Sequence, residues 1–164
     1  MTKKMTALLL ALCLALGGWL AFYFSEKQVI RRQLADLGQA LSKEEAETPL
    51  QMAVKMGLVK DMVAARCQVL VPERDYDQVL EQDLLIHYLL YYRRNYAVVR
   101  VALADLDVAV PVKNEARVQA TVHLQRQQAN QEMVAEVAPA TLVLHKEEKE
   151  WLIKRVTMAE ALVE

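Results

Sequence analysis

Hydrophobic and polar positions divide the chain into three stretches. Ala7 to Phe24, ALLLALCLALGGWLAFYF, is apolar and uncharged. From Glu26 to about Arg94, apolar residues recur at helical spacing. From Ala97 onward the period falls to two. The first helix is predicted over Glu26 to Ser42, where Ile30, Leu34, Leu37 and Leu41 form one narrow stripe and charged residues fill the other faces. Lys43 to Glu47 is a solvated connector. Thr48-Pro49-Leu50-Gln51 has the signature of a helix start: Thr as N-cap, Pro in the first turn, Gln at the capping-box position. The helix it opens is predicted to run to about Ala65, with Met52, Met56 and Met62 as soft core filling. Cys67 to Val71 reads as a short strand stopped by Pro72. Asp75 or Asp77 is expected to cap a third helix ending near Arg94, where cations suit the helix dipole. Its segment LLIHYLLYY is apolar almost all round and is expected to be largely buried.

Four strands are predicted over about 97–110, 117–128, 132–145 and 150–162, joined by polar hairpin-sized connections. The second alternates cleanly: Val118, Ala120, Val122 and Leu124 share one face, and Arg117, Gln119, Thr121, His123 and Gln125 the other. Pro139 inside the third implies a bulge, a bend or an edge position. Helices followed by an antiparallel meander make an α+β fold, with three helices on the concave face of a curved antiparallel sheet.

The apolar stretch changes where this domain is expected to be. Eighteen helical residues at about 1.5 Å each cover roughly the hydrocarbon thickness of a bilayer. Trp19, Phe22, Tyr23 and Phe24 gather at one end, as interfacial aromatics do. The expected organisation is a basic tail (1–6), a transmembrane anchor (7–24) and one domain (26–164). Ala15-Leu16-Gly17 offers the competing reading of a cleaved signal peptide, against which the apolar run continues well past that site. Lys3, Lys4 and the amino terminus favour a cytoplasmic tail, and Lys27, Arg31 and Arg32 argue weakly the other way. The expected location of the domain is therefore extracytoplasmic, the periplasm in a bacterium.

Charge and cysteines narrow the function classes. Lys3 and Lys4 are the only charges before Ser25, so the domain carries 18 of the 20 basic residues and all 21 acidic ones, a formal charge of −3. That is no nucleic-acid footprint. Cys13 lies in the expected anchor and cannot bridge to Cys67, so no disulfide staples the fold. Zinc spacing, an H-E-x-x-H motif, a phosphate-cradling glycine loop and a nucleophile elbow are all missing from the sequence, and no cofactor or metal is expected.

Three features carry a family resemblance: the order helix, helix, short strand, helix, meander; the segment Lys60 to Val69 running from helix into strand before Pro72; and Glu150-Trp151-Leu152-Ile153-Lys154-Arg155-Val156 after a charged turn. With these, residues 26–164 resemble the nuclear transport factor 2-like, or SnoaL-like, superfamily. The resemblance implies a conical pocket between helices and sheet. It implies no single activity, since this scaffold hosts isomerases, dehydratases, carriers and structural subunits. The candidate pocket residues are His87, Tyr88 and Tyr91 on the third helix, Leu34 and Leu37 on the first, and Trp151 on the last strand. His87 is the most enzyme-like of them. His123 is expected on the outer face and His145 near an exposed turn. Asp105 and Asp107 share a strand face, which a solvated surface explains best.

The leading expectation is a membrane-anchored, non-enzymatic interaction or assembly module, with the polar outer face of the sheet as its surface for a protein partner or a second copy. A tethered binder of a small hydrophobic ligand or lipid is the alternative, and an isomerase- or dehydratase-type enzyme centred on His87 the third. An open apolar cone favours the binder; a cone filled by its own side chains favours the module.

Overall fold

The computed structural model describes residues 13–14, 17–18, 25–159 and 162–163. The expected tail and nearly all of the expected anchor, Ala7 to Phe24, lie outside the described residues. Among these residues no helix is long and apolar enough to cross a membrane.

Helix α1 (Glu26–Leu41) buries the stripe read from the sequence, with Ile30, Leu34 and Leu37 in the core. It crosses the sheet so closely at Gly38 that a Cβ there would lie 3.1 Å from the Val101 carbonyl oxygen. Ser42 ties the helix end to the same strand: its Oγ donates to the Gly38 carbonyl (2.8 Å) and accepts from the Val101 N–H (3.0 Å). Helix α2 (Pro49–Met62) begins with the expected capping box of Thr48 and Gln51. It stops three residues before the expected Ala65, because β-branched Val63 turns extended and enters strand β1 (Val63–Val71).

The region after Pro72 departs most from expectation. A single 3₁₀ turn (Pro72–Arg74) leads to Asp75, which holds a left-handed conformation (φ 50°) instead of capping a helix. Strand β2 (Tyr76–Glu81) then folds back antiparallel on β1, from Val71 opposite Tyr76 to Arg66 opposite Glu81. Helix α3 therefore starts only at Gln82 and runs to Arg94. The Gln82 side chain donates to the carbonyls of Lys60 and Val63 and so joins the helix to the α2–β1 junction. Nor is α3 largely buried. Leu85, Ile86, Leu89 and Leu90 pack against the core, but no described element covers the outer face, and Leu84, His87, Tyr88 and Tyr91 are exposed.

Strands β3 (Val98–Val112), β4 (Glu115–Gln127), β5 (Val134–Glu147) and β6 (Glu150–Met158) form the expected meander. A two-residue strand, β7 (Leu162–Val163), pairs with β5. The sheet order is β2-β1-β6-β5-β4-β3. The sheet is mixed and not wholly antiparallel, because β1 pairs parallel with β6. Pro139 lies in β5, a central strand and not an edge. It falls where the neighbour changes from β6 (Ala140 opposite Met158) to β7 (Val137 opposite Leu162), so its missing N–H faces a break in the ladder.

Strand β3 contains a bulge. Ala104 pairs with Thr121 and Asp107 with Gln119, leaving one extra residue, and Asp105 takes φ 51°. Val101 and Leu103 lie on the core side before it, and Leu106, Val108 and Val110 after it. Asp tolerates this left-handed geometry, whereas a β-branched residue does not. Asp105→Val is expected to lower unfolding stability by about 1–2 kcal/mol, with Asp105→Gly neutral or slightly stabilising. Equal denaturation midpoints for the two variants would mean that the bulge is not held in solution.

Among the described residues one charged residue, Arg93, is buried as a whole. Arg93 was expected to serve the end of its own helix and instead serves the end of α1. Its Nη1 donates to the carbonyls of Ala40 (3.2 Å), Leu41 (2.6 Å) and Ser42 (3.1 Å), and its Nη2 to Glu47 (2.6 Å). Lys55 holds the other Glu47 oxygen at 2.8 Å. Lys43 donates to the carbonyls of Arg93 and Tyr96, and its backbone pairs with Val99, so the α1–α2 connector is bound to the sheet edge.

Candidate functional site in the cone

Alternation along β4 and β5 decides what lines the concave face. On β4 the inward positions are Ala116, Val118, Ala120, Val122, Leu124 and then Arg126; on β5 they are Glu136, Ala138, Ala140, Leu142 and Leu144. Small residues at 138 and 140 leave space beneath the helices. That space is an open apolar cavity in two adjoining compartments of about 250 Å³ each. The first is enclosed by Leu37, Val59, Cys67, Leu85, Leu103 and Leu142 among others, all apolar. Burial pushes the Cys67 thiol up to about 11, so it stays protonated and behaves as a small hydrophobe. The second compartment shares Leu41, Leu89, Val101, Val122 and Met158 with the first and adds Tyr92, Arg93 and Glu136.

Those three residues are the polar part of the lining. Arg126, at the end of the inward series of β4, forms an ion pair with Glu136 and donates from Nη1 to the Tyr92 hydroxyl at 3.1 Å. Its guanidinium carbon lies 5.6 Å from the centre of the Tyr96 ring, which in turn packs 4.9 Å from the Tyr92 ring. Burial raises the Tyr92 hydroxyl above its usual range, against the opposing pull of Arg126, so it is protonated at neutral pH. It accepts from Arg126 and keeps its own proton, beside the Tyr96 side chain. Both terminal nitrogens of Arg93 are taken by the α1-end carbonyls and Glu47, and its Nε is buried without a partner.

Of the six pocket residues expected from the sequence, only Leu37 lines this cavity. Leu34 is wholly buried in the core. His87, Tyr88 and Tyr91 point away from the cone, Tyr88 being 50% and Tyr91 65% exposed. Trp151 is buried beside a separate shallow groove with Val29 and Gln33, its ring under the Lys146 ammonium. His123 is exposed on the outer sheet face, as expected. His145 is partly exposed, 3.7 Å from the Glu115 carboxylate. Asp105 and Asp107 are exposed on either side of the bulged Leu106. Among the described residues no three His, Cys, Asp or Glu side chains gather as a metal site would require. The sequence reading takes Tyr92 for a core or rim residue whose hydroxyl reaches water, and misses Arg126 and Glu136. Continuing the β4 alternation one step past Leu124 would have placed Arg126 inside.

No protein-family model matches the chain, and no curated protein matches it by sequence. Solved structures do match. A nuclear transport factor 2-like protein from Cytophaga hutchinsonii superposes with a TM-score of 0.61 at 9% identity, covering 83% of this chain and 98% of that one. A protein from Kribbella flavida gives 0.66 at 10% identity, covering 82% and 90%. A hexachlorocyclohexane dehydrochlorinase gives 0.64 at 6% identity, covering 82% and 86%. At such identities the likeness carries the fold and not the activity. The described domain has the cone-shaped α+β fold of nuclear transport factor 2-like proteins.

Proposed function

We propose that this domain binds a small, mainly apolar molecule inside the cone, and that Ala7 to Phe24 holds it at a membrane with the domain outside the cytoplasm. One observation carries the reading: the cone is open, and one of its two compartments is lined by apolar side chains alone. A purely structural module has no use for such a space, since an unfilled cavity costs stability. The outer sheet face, bearing Arg117, Gln119, His123 and Gln125, remains the proposed surface for a protein partner or a second copy. The enzyme reading centred on His87 loses its basis, because that imidazole lies outside the cone.

Val122 borders both compartments, so Val122→Phe fills the space where they meet. The full-length chain is expected to take up the neutral fluorophore N-phenyl-1-naphthylamine saturably. Val122→Phe is expected to weaken that uptake by about tenfold or more, a loss equivalent to roughly 1.4 kcal/mol. Ala140→Leu is a second blocking variant should the first fold poorly. Unchanged uptake by a folded blocking variant would show that the cone is not the site.

A further inference from the structure

The geometry points to a ligand that is uncharged and bipolar: an apolar body in the first compartment and a single hydroxyl or carbonyl oxygen directed to the Tyr92 hydroxyl in the second. This rests on the cone being a ligand site. The two compartments have different chemistry and meet along Leu41, Leu89, Val101 and Val122. A molecule spanning both therefore finds polar partners at only one end. At that end each lining charge already has its counter-charge: Glu136 has Arg126, and Arg93 has Glu47. A carboxylate or ammonium entering here would bring a third charge into a partly dry site with no free partner. What remains for a ligand is a neutral hydrogen bond. The Tyr92 oxygen accepts from Arg126, and its O–H, beside the Tyr96 side chain, is the neutral donor that can turn to a ligand oxygen. The apolar first compartment favours a ring or branched hydrocarbon body over a polar one. Alicyclic or aromatic alcohols, ketones and phenols fit this description; fatty acids and alkylamines, charged at neutral pH, do not.

The test compares three probes of one shape on the full-length chain: naphthalene, 1-naphthol and 1-naphthoate. The Val122→Phe variant serves as the blank, so that uptake by the apolar segment 7–24 cancels. Binding is read by calorimetry at neutral pH. Wild type is expected to hold 1-naphthol about five- to tenfold more tightly than naphthalene, the difference one net hydrogen bond makes. The naphthoate is expected to be the weakest of the three. In Tyr92→Phe the preference for the naphthol should vanish while naphthalene binds as before. Equal wild-type affinity for naphthalene and naphthol overturns the orientation and leaves the cone a ligand site. Tightest binding of the naphthoate overturns the neutral class. No binding above the blank by any probe overturns both this inference and the proposed function. The wild-type comparison decides the matter even if the variant is unstable.

Discussion

Arg93→Ala is expected to cost about 3–5 kcal/mol of unfolding stability, because it leaves a buried carboxylate with half its partners and three helix-end carbonyls with none. Arg93 is 3% exposed and Glu47 5% by side chain, so water cannot take over. Arg93→Lys should recover little, since one ammonium cannot reach the Ala40, Leu41 and Ser42 carbonyls and the carboxylate together. Denaturant unfolding at neutral pH reads this directly, and a loss below about 1 kcal/mol would mean that the network is solvated. The same residues govern acid stability. Burial alone would push the Glu47 carboxyl up, but its hydrogen bonds and charge attraction to Lys55 and Arg93 outweigh that and hold it below its ordinary 4.5. A carboxyl depressed on folding contributes stability that is complete above its unfolded value and disappears as the pH falls through the folded one. Wild type should therefore lose stability below about pH 4.5, and Glu47→Gln should show a shallower acid slope.

The second large effect separates two leucines one helical turn apart. Leu34→Ala is expected to cost about 3–4 kcal/mol and Leu37→Ala about 1–2 kcal/mol less. Both side chains are buried by exposure, 0% and 7%. They differ in what surrounds them. Leu34 is enclosed by packed atoms, and its removal opens a new void. Leu37 borders the existing cavity, so it has fewer atoms to lose contact with, and its removal enlarges space already present. Equal losses by denaturant unfolding would indicate that the cavity closes on itself in solution.

The legible parts of this fold were those with a strong period or an explicit cap. The α1 stripe, the Thr48–Gln51 box and the alternation of β4 depend on neighbours a few residues away, and all three hold in the structure. Tyr76 to Glu81 was misread because two aspartates resembled helix caps, whereas its conformation is set by pairing with β1. The burial of α3 was overestimated for a related reason. An apolar composition does not say how many sides of a helix have neighbours. The candidate site suffered most. His87, Tyr88 and Tyr91 drew notice by residue type, yet they lie on the uncovered side. The polar corner is assembled from Tyr92, Arg126 and Glu136, residues on three separate elements, of which Arg126 and Glu136 meet only through the β4–β5 register, Leu124 opposite Glu136. The bulge at Asp105 carried no local signal beyond an aspartate at the position.

The parallel pairing of β1 with β6 sets a timetable for folding. Val69 meets Val156, 87 positions further along, with strands β2 to β5 and helix α3 between them in the chain. During synthesis the helices and the β1–β2 hairpin emerge first, and β1 waits with one edge unpaired until β6 is made. Closing so long a loop is slow and entropically costly, and a waiting strand edge invites pairing with other chains. The cone is thus completed by β6, and a chain halted before Trp151 would expose the apolar interior that β6 helps to enclose.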